Sequence, residues 1–442
     1  MDFDDLEDAE ALQDGLAEAR RAGFVPATCP LRKIQRLWCI SDVYCDHEVN
    51  FKFLERISGC EHDALILLGN VSHKLQVLTD TLLCVKERFA EVIFVPGNQD
   101  LWVKNDPECR KPGEEALYKD SFEKLKYIIT LCDHVGVHTT PRVFEIGDEA
   151  LWVVPLLAWH ARSFDTEPEV SAHWGGIPDL ADMVKDFQMC IWPADLKPTT
   201  DLLAEEVDCL NDRLVACLGS EERLAFEKAA NATPGGRSSA RVSMVTCSHF
   251  VPLLELNPEK RLLFYPEINK TVGSRFLRER VEDLHPDVHV FGHTHFGWDS
   301  VIGRTRFVQA PLALPRERSS FSVTVIGDFP CFDAPAPLLL RSGPTWAAPY
   351  PAAWTEYYKR YPREKWRTSE IQERAMNMYQ WLGEGDPPSA AACFENRLPP
   401  WELAPPWVYE KTDRRQLGFD GKSSYLSDAS VMGRSRRSID VD

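Results

Sequence analysis

Five short clusters of carboxylate, amide and imidazole residues recur along this chain, each directly after a run rich in Val, Ile, Leu or Phe. They are Asp42-Val43-Tyr44, Gly69-Asn70-Val71-Ser72-His73, Gly97-Asn98-Gln99-Asp100, Ser248-His249 and Gly292-His293-Thr294-His295. Two imidazoles with amide oxygens can hold Zn2+ or a similar ion. A held cation can in turn activate water and absorb charge developing on an oxygen.

The elements that must position these clusters are legible as period and length. Residues 36–41, 64–68 and 92–95 are apolar runs of buried-strand length, separated by helical patterns near 47–57 and 74–89. That alternation predicts a βαβαβ unit, and right-handed crossovers place its three strands in one parallel sheet. The clusters then leave from the carboxyl ends, where such sheets carry their sites. Residues 143–146 and 150–154 read as a hairpin around Gly147-Asp148-Glu149, while 242–246 and 288–291 repeat the strand-then-cluster order. Residues 306–309 and 321–326 are further strands closing a second sheet. The fold class is therefore α/β, a two-sheet sandwich flanked by helices, followed by an extended Pro- and Trp-rich tail. Residues 220–240 read as a surface insertion. Leu6, Ala9, Leu12, Leu16 and Ala19 predict a short amphipathic helix near the start.

In order and context the five clusters resemble the calcineurin-like metallophosphoesterase superfamily, whose pattern reads DxH, GDxxD, GNH[DE], [GS]H and GHxH. The resemblance runs from about residue 36 to 318. The segments Ser163-Phe164-Asp165, Trp192-Pro193, 248–252 and 309–318 look like a plant and algal group within it. It implies the same αββα sandwich and a site for two cations bridged by one Asp and one hydroxide. This chain departs from the pattern at three positions, with Tyr44, Asn70 and Gln99 in place of His, Asp and His.

Those departures decide the expected chemistry. The bridging carboxylate offsets the repulsion of two close dications; Asn70 is neutral and a poorer bridge, so a dinuclear centre is not expected. The resemblance assigns Asp42, Tyr44, Asn70 and His295 to one metal position, read as vestigial, with Tyr44 filling the lost histidine's volume. Asn98, His249 and His293 form the other position, which either keeps one divalent ion (Zn, Mn or Fe) or survives as hydrogen-bonded fold residues. Gln99 cannot titrate, which removes a group that would move the leaving group's proton. Asp100, which orients that histidine in the family, is left to hold Gln99 or a backbone amide. Asp46, His47 and His73 read as helix-start or surface residues rather than replacement ligands. Arg316 and Arg318 are candidates for binding a phosphate without cleaving it, although surface pairing is their commoner use.

Composition narrows the partners. A formal net charge of -18 argues against nonspecific nucleic-acid or anionic-membrane binding. No apolar run is of bilayer-spanning length, and the acidic start lacks the shape of a secretory signal. Thirteen cysteines without paired spacing fit reduced thiols in a cytoplasmic compartment. The organisation expected is an acidic extension over 1–34, a phosphoesterase-like domain over 35–328 and an aromatic tail over 329–442, helical only near 368–382. The tail either wraps its own domain or docks on other chains. Residues 341–442, together with 1–23, are the expected protein-binding segments.

Two functions stand against each other. The leading expectation is a pseudoenzyme of the metallophosphoesterase fold, a binding or structural subunit of a larger assembly such as a cytoskeletal or ciliary one. The alternative is an active phosphomonoester or phosphodiester hydrolase working with a single metal.

Overall fold

The computed structural model describes residues 32–104, 106, 117–147, 149–169, 179–216, 242–263, 265–315, 317 and 337–368. Two sheets form its centre. The five-stranded sheet runs Thr345–Trp346, Leu338–Ser342, Arg36–Ser41, Ala64–Leu68, Glu91–Val95, and the seven-stranded sheet runs Arg32–Ile34, Arg142–Ile146, Glu149–Leu156, Val242–Ser248, Val288–Phe291, Thr305–Gln309, Trp298–Ile302. The first five strands in chain order are β1 (Arg32–Ile34), β2 (Arg36–Ser41), β3 (Ala64–Leu68), β4 (Glu91–Val95) and β5 (Arg142–Ile146). The next four are β6 (Glu149–Leu156), β7 (Val242–Ser248), β8 (Val288–Phe291) and β9 (Trp298–Ile302). The chain closes its sheets with β10 (Thr305–Gln309), β11 (Leu338–Ser342) and β12 (Thr345–Trp346).

Strands β3 and β4 are buried along their whole length, which is why they read as unbroken apolar runs rather than as alternation. The helices Glu48–Glu55 and Leu75–Arg88 connect β2, β3 and β4, which pair in parallel as the βαβαβ reading requires. Between the sheets, Leu37, Cys39, Ile66 and Ile93 from one layer meet Phe144, Leu151, Val245 and Val290 from the other. On the outer face of β3 and β4, Leu65, Leu67, Val92 and Phe94 share a second core with Leu78, Leu82 and Ile128 from covering helices. One of those helices, Ser121–Val135, is fixed at both ends. Asp120 accepts hydrogen bonds from the amides of Phe122 and Glu123 at 2.9 Å, and Gly136 ends it in the left-handed region.

The β5–β6 hairpin and strands β7, β8 and β10 lie where the pattern placed them. The boundaries do not. Strand β1 falls inside the segment read as an extension over 1–34, yet it pairs in parallel with β5. Strand β11 falls beyond the boundary at 328, yet it lies antiparallel to β2 and completes the smaller sheet. Its apolar run Leu338-Leu339-Leu340 is short and sits beside a Pro-rich stretch, which masked it as tail. Behind it, the guanidinium of Arg341 is buried against Glu149 and lies 4.9 Å from the Trp346 ring centroid.

In the tail, the rings of Trp354 and Tyr358 go to the domain itself. In the helix Ala353–Arg360, Trp354 sits edge-on to Phe296 at 5.9 Å, and Tyr358 lies 6.1 Å from Trp298. The expected strand at 321–326, insertion at 220–240, initial helix and helix near 368–382 lie outside the described residues, but for residue 368 itself.

Candidate functional site

All five clusters converge at the carboxyl ends of β2, β3, β4, β7 and β8, on tight turns. Asp42, Tyr44, Asn70, His293 and His295 take φ values of 52°, 45°, 51°, 77° and 59°, the left-handed region that side chains rarely occupy. Each such residue costs about 1–3 kcal/mol, and such strain persists where surrounding contacts impose it. Gly97 shows how close the turns lie: a Cβ there would fall 2.7 Å from Asn70 Oδ1. Asp100 ties the second and third clusters together by accepting from the amides of Val71 at 2.8 Å, Ser72 at 3.0 Å and Gly97 at 2.8 Å. Burial pushes its carboxyl up to about 6 while those three amides pull it back. It thus holds backbone, and the Gln99 side-chain oxygen is buried with no hydrogen-bond partner among the described residues.

The position of Asp42, Tyr44, Asn70 and His295 is satisfied by its own side chains. Asn70 Oδ1 accepts from the Gln99 amide at 3.0 Å, which fixes the orientation of the carboxamide. Its Nδ2 therefore points inward and donates to Asp42 Oδ1 and to the Tyr44 hydroxyl, both at 3.1 Å. His295 Nδ1 faces the Glu317 carboxylate at 3.0 Å and donates to it, leaving Nε2 to accept from the Tyr44 hydroxyl at 2.7 Å. Burial, then Asp42 and Glu317, push the Tyr44 phenol well above its ordinary range, so it stays a neutral donor. A donor group now occupies the space to which a bridging carboxylate would present oxygens. Tyr44 thus hydrogen-bonds to both Asn70 and His295.

The position of Asn98, His249 and His293 behaves differently. Asn98 Oδ1 lies 2.9 Å from His249 Nε2 and 3.1 Å from His293 Nδ1. The opposite ring nitrogens face backbone carbonyls, His249 Nδ1 at 3.3 Å from Leu68 and His293 Nε2 at 3.0 Å from Thr271. Each ring thus faces two acceptors, and a neutral imidazole has a single N–H. Whichever tautomer forms, each ring keeps one lone pair against another lone pair. A second proton on each ring would cure this, but burial holds His293 down to about 4 and His249 well below its ordinary range. A cation among Asn98 Oδ1, His249 Nε2 and His293 Nδ1 would relieve both contacts, with both N–H groups turned to the carbonyls as metal-bound histidines commonly are. The donor set fits one borderline divalent ion. Among the described residues no three His, Cys, Asp or Glu side chains gather as a metal site; the third donor here is an amide.

Comparison with known proteins follows this geometry. No protein-family profile matches the chain. Over 286 residues, 64% of this chain and 78% of the relative, it is 26% identical to the acyl-carrier-protein phosphodiesterase PptH of Mycobacterium tuberculosis. That likeness agrees with the resemblance of the five clusters to the calcineurin-like metallophosphoesterases. Among solved structures, the phosphopantetheinyl hydrolase of M. tuberculosis aligns with a TM-score of 0.46 and 23% identity over 65% of this chain and 92% of that one. A protein of Thermus thermophilus aligns with a TM-score of 0.35 and 13% identity over 63% and 90%.

Within this site, several residues carried no signal in the sequence. Glu317 lies in a segment already noted as family-like, but its role at His295 emerges only from the fold. Asp186 and Trp102 sit behind Asn98, where Asp186 accepts from both. Burial raises the Asp186 carboxyl, against the pull of its Asn98 and Trp102 hydrogen bonds. His160 is buried against Phe187 and Phe250 with neither ring nitrogen bonded among the described residues, and burial lowers it to about 3. His47 stands at the N-cap position of the helix Glu48–Glu55 without a side-chain cap bond, Asp46 pairs with Lys74 at 3.2 Å, and the His73 ring lies 6.1 Å from that of Trp102. Arg316 and Arg318 lie outside the described residues.

Proposed function

We propose that this chain holds one divalent cation at Asn98, His249 and His293 and binds phosphoesters there, hydrolysing them far more slowly than a dinuclear metallophosphoesterase. The carrying observation is the pair of imidazoles that each face two acceptors with one proton to give. Such a cation would supply a positive charge to draw a phosphoester oxygen. This chain's own residues supply the rest. The neighbouring position is shut by Asn70, Tyr44 and His295 donating and accepting among themselves. The Gln99 side chain can orient a polar group but cannot pass a proton, and losing such a group costs about a hundred- to ten-thousand-fold in rate. This places the chain between the two expectations, a pseudoenzyme by rate that keeps a working binding position.

The relative's name points to a phosphodiester as the first substrate class to try. Metal analysis of protein purified without chelator should give about one Zn2+ or Mn2+ per chain, and His293→Ala should give none. Hydrolysis of a nitrophenyl phosphodiester and of the matching monoester, with either ion added, should be slow and lost in His293→Ala. Two metals per chain with fast turnover overturn the mononuclear reading. No metal in the unaltered protein, even after incubation with excess ion, overturns metal binding altogether.

A further inference from the structure

We propose that Asp186 is the positioning residue that makes Asn98 a metal ligand and returns to the site the negative charge lost with the substitution at Asn70. The inference rests on the single-cation reading and goes beyond it to a residue outside all five clusters.

Asn98 Nδ2 donates to both carboxylate oxygens of Asp186, at 2.8 and 2.9 Å, and Trp102 Nε1 donates to Oδ1 at 2.7 Å. Three contacts from N–H groups therefore converge on the carboxylate. The clamp leaves Asn98 Oδ1 no choice but to face the two histidines, at 2.9 and 3.1 Å. It also polarises the amide, drawing charge from nitrogen and concentrating negative charge on the oxygen, which hydrogen-bond chains in a low-dielectric interior do cooperatively.

The second observation concerns charge. Asp186 is 3% exposed, and among the described residues it enters no ion pair with Lys, Arg or His. A buried carboxylate left without a cation is costly. Lys124, on the helix packed nearby, is already paired with Asp106 at 2.8 Å. The place for a compensating charge is one amide group away, on the far side of Asn98. In the family pattern a bridging Asp supplies charge directly at the metal; here Asp186 supplies it through the amide. A charge relayed this way reaches the Asn98 position and not the one that Asn70 and Tyr44 close, so it favours one ion over two. The carboxylate stands on the short helix Asp186–Met189, between β6 and β7 in the chain, rather than on a strand end.

The test is calorimetric titration of Zn2+ into metal-stripped full-length protein, which reads affinity independently of turnover. Losing an orienting partner of a metal ligand costs about 10- to 100-fold in affinity, so Asp186→Asn should weaken Zn2+ binding by that factor. Trp102→Phe removes the other contact to the same carboxylate while keeping its charge, so it should weaken Zn2+ binding less than Asp186→Asn does. The exchange Asn98→Asp with Asp186→Asn keeps one carboxylate and one amide in the pair. It should restore affinity to at least the starting value, and it tests the idea even where Asp186→Asn alone fails to fold. Unchanged affinity in Asp186→Asn, or a folded exchange variant with no recovery, overturns the role of Asp186 and leaves the single-cation reading standing. Absence of Zn2+ binding in the unaltered protein overturns that reading first, and the inference with it.

Discussion

The Tyr44 hydroxyl donates to His295 Nε2 at 2.7 Å while accepting from Asn70 Nδ2 at 3.1 Å, so one phenol joins two clusters of the site. Removing it strands a buried amide N–H and an imidazole lone pair together. Leaving a buried polar group unsatisfied costs about 1–3 kcal/mol, and Tyr44→Phe should lose that much stability with an unchanged m-value in urea. A variant as stable as the parent would mean that the position is open to water and not closed by its own side chains.

Stability should fall on acidification, and His289 should be a measurable part of it. The ring is fully buried between Thr246 Oγ1 at 2.7 Å and Ser248 Oγ at 3.1 Å, and burial lowers it to about 3. Its folded value lies below its unfolded one, so the unfolded chain takes up the proton first as pH drops. The stability this neutral ring contributes is fully present above about 6.5 and is lost progressively as pH falls toward its folded value. At pH 5 the loss amounts to about 2 kcal/mol. His289→Gln should therefore lose about 2 kcal/mol less than the parent between pH 7.5 and pH 5 in paired urea titrations. Asp100, raised by burial to about 6, works in the opposite sense in both proteins and cancels in the comparison. Equal losses would show that His289 is protonated in the fold.

The motif strands were legible because burial on both faces makes β3 and β4 continuous apolar runs, and because each run ends at once in a polar cluster. The hydrogen bonds of Tyr44 to Asn70 and His295 join clusters far apart in the chain, and only the fold brings them together. Strand β11 was hidden because three leucines beside prolines carry no period, and its partner β2 lies some three hundred residues earlier. Asp186 was hidden for a related reason: nothing local distinguishes it from other acids. Its meaning comes from Asn98, 88 residues away, and only the fold brings the two together.

The aromatic tail should behave as part of the domain up to residue 361. Trp354 is 9% exposed and packs with Phe296 and Tyr357, and the Tyr358 hydroxyl accepts from the Glu259 amide at 3.0 Å. Truncating a buried aromatic residue to Ala costs about 3–5 kcal/mol. Trp354→Ala should lower the melting temperature sharply, and ending the chain after residue 337, which removes β11, should abolish a cooperative melt. Ending it after residue 368 keeps the contacts described above for β11 and the Ala353–Arg360 helix and should leave the melt unchanged. Loss of cooperativity in this longer form would extend the domain beyond 368.

Restoring the family's residues at Tyr44→His, Asn70→Asp and Gln99→His should turn a one-metal site into a two-metal one. The backbone is already in place, since Asp42, residue 70 and His295 hold their left-handed turns. The Asn70→Asp change also replaces the inward-pointing N–H donor with oxygen and supplies the charge that lets two dications lie close together. The Tyr44→His change frees His295 Nε2 from the phenol. Metal content should rise from about one to about two ions per chain, and phosphodiester turnover should increase by about a hundredfold or more as Gln99→His returns a titrating group. Introducing Asn70→Asp last in the series separates the causes. If the second metal arrives only with that substitution, the bridging charge decides occupancy; if it arrives with Tyr44→His alone, the phenol had been excluding it by volume.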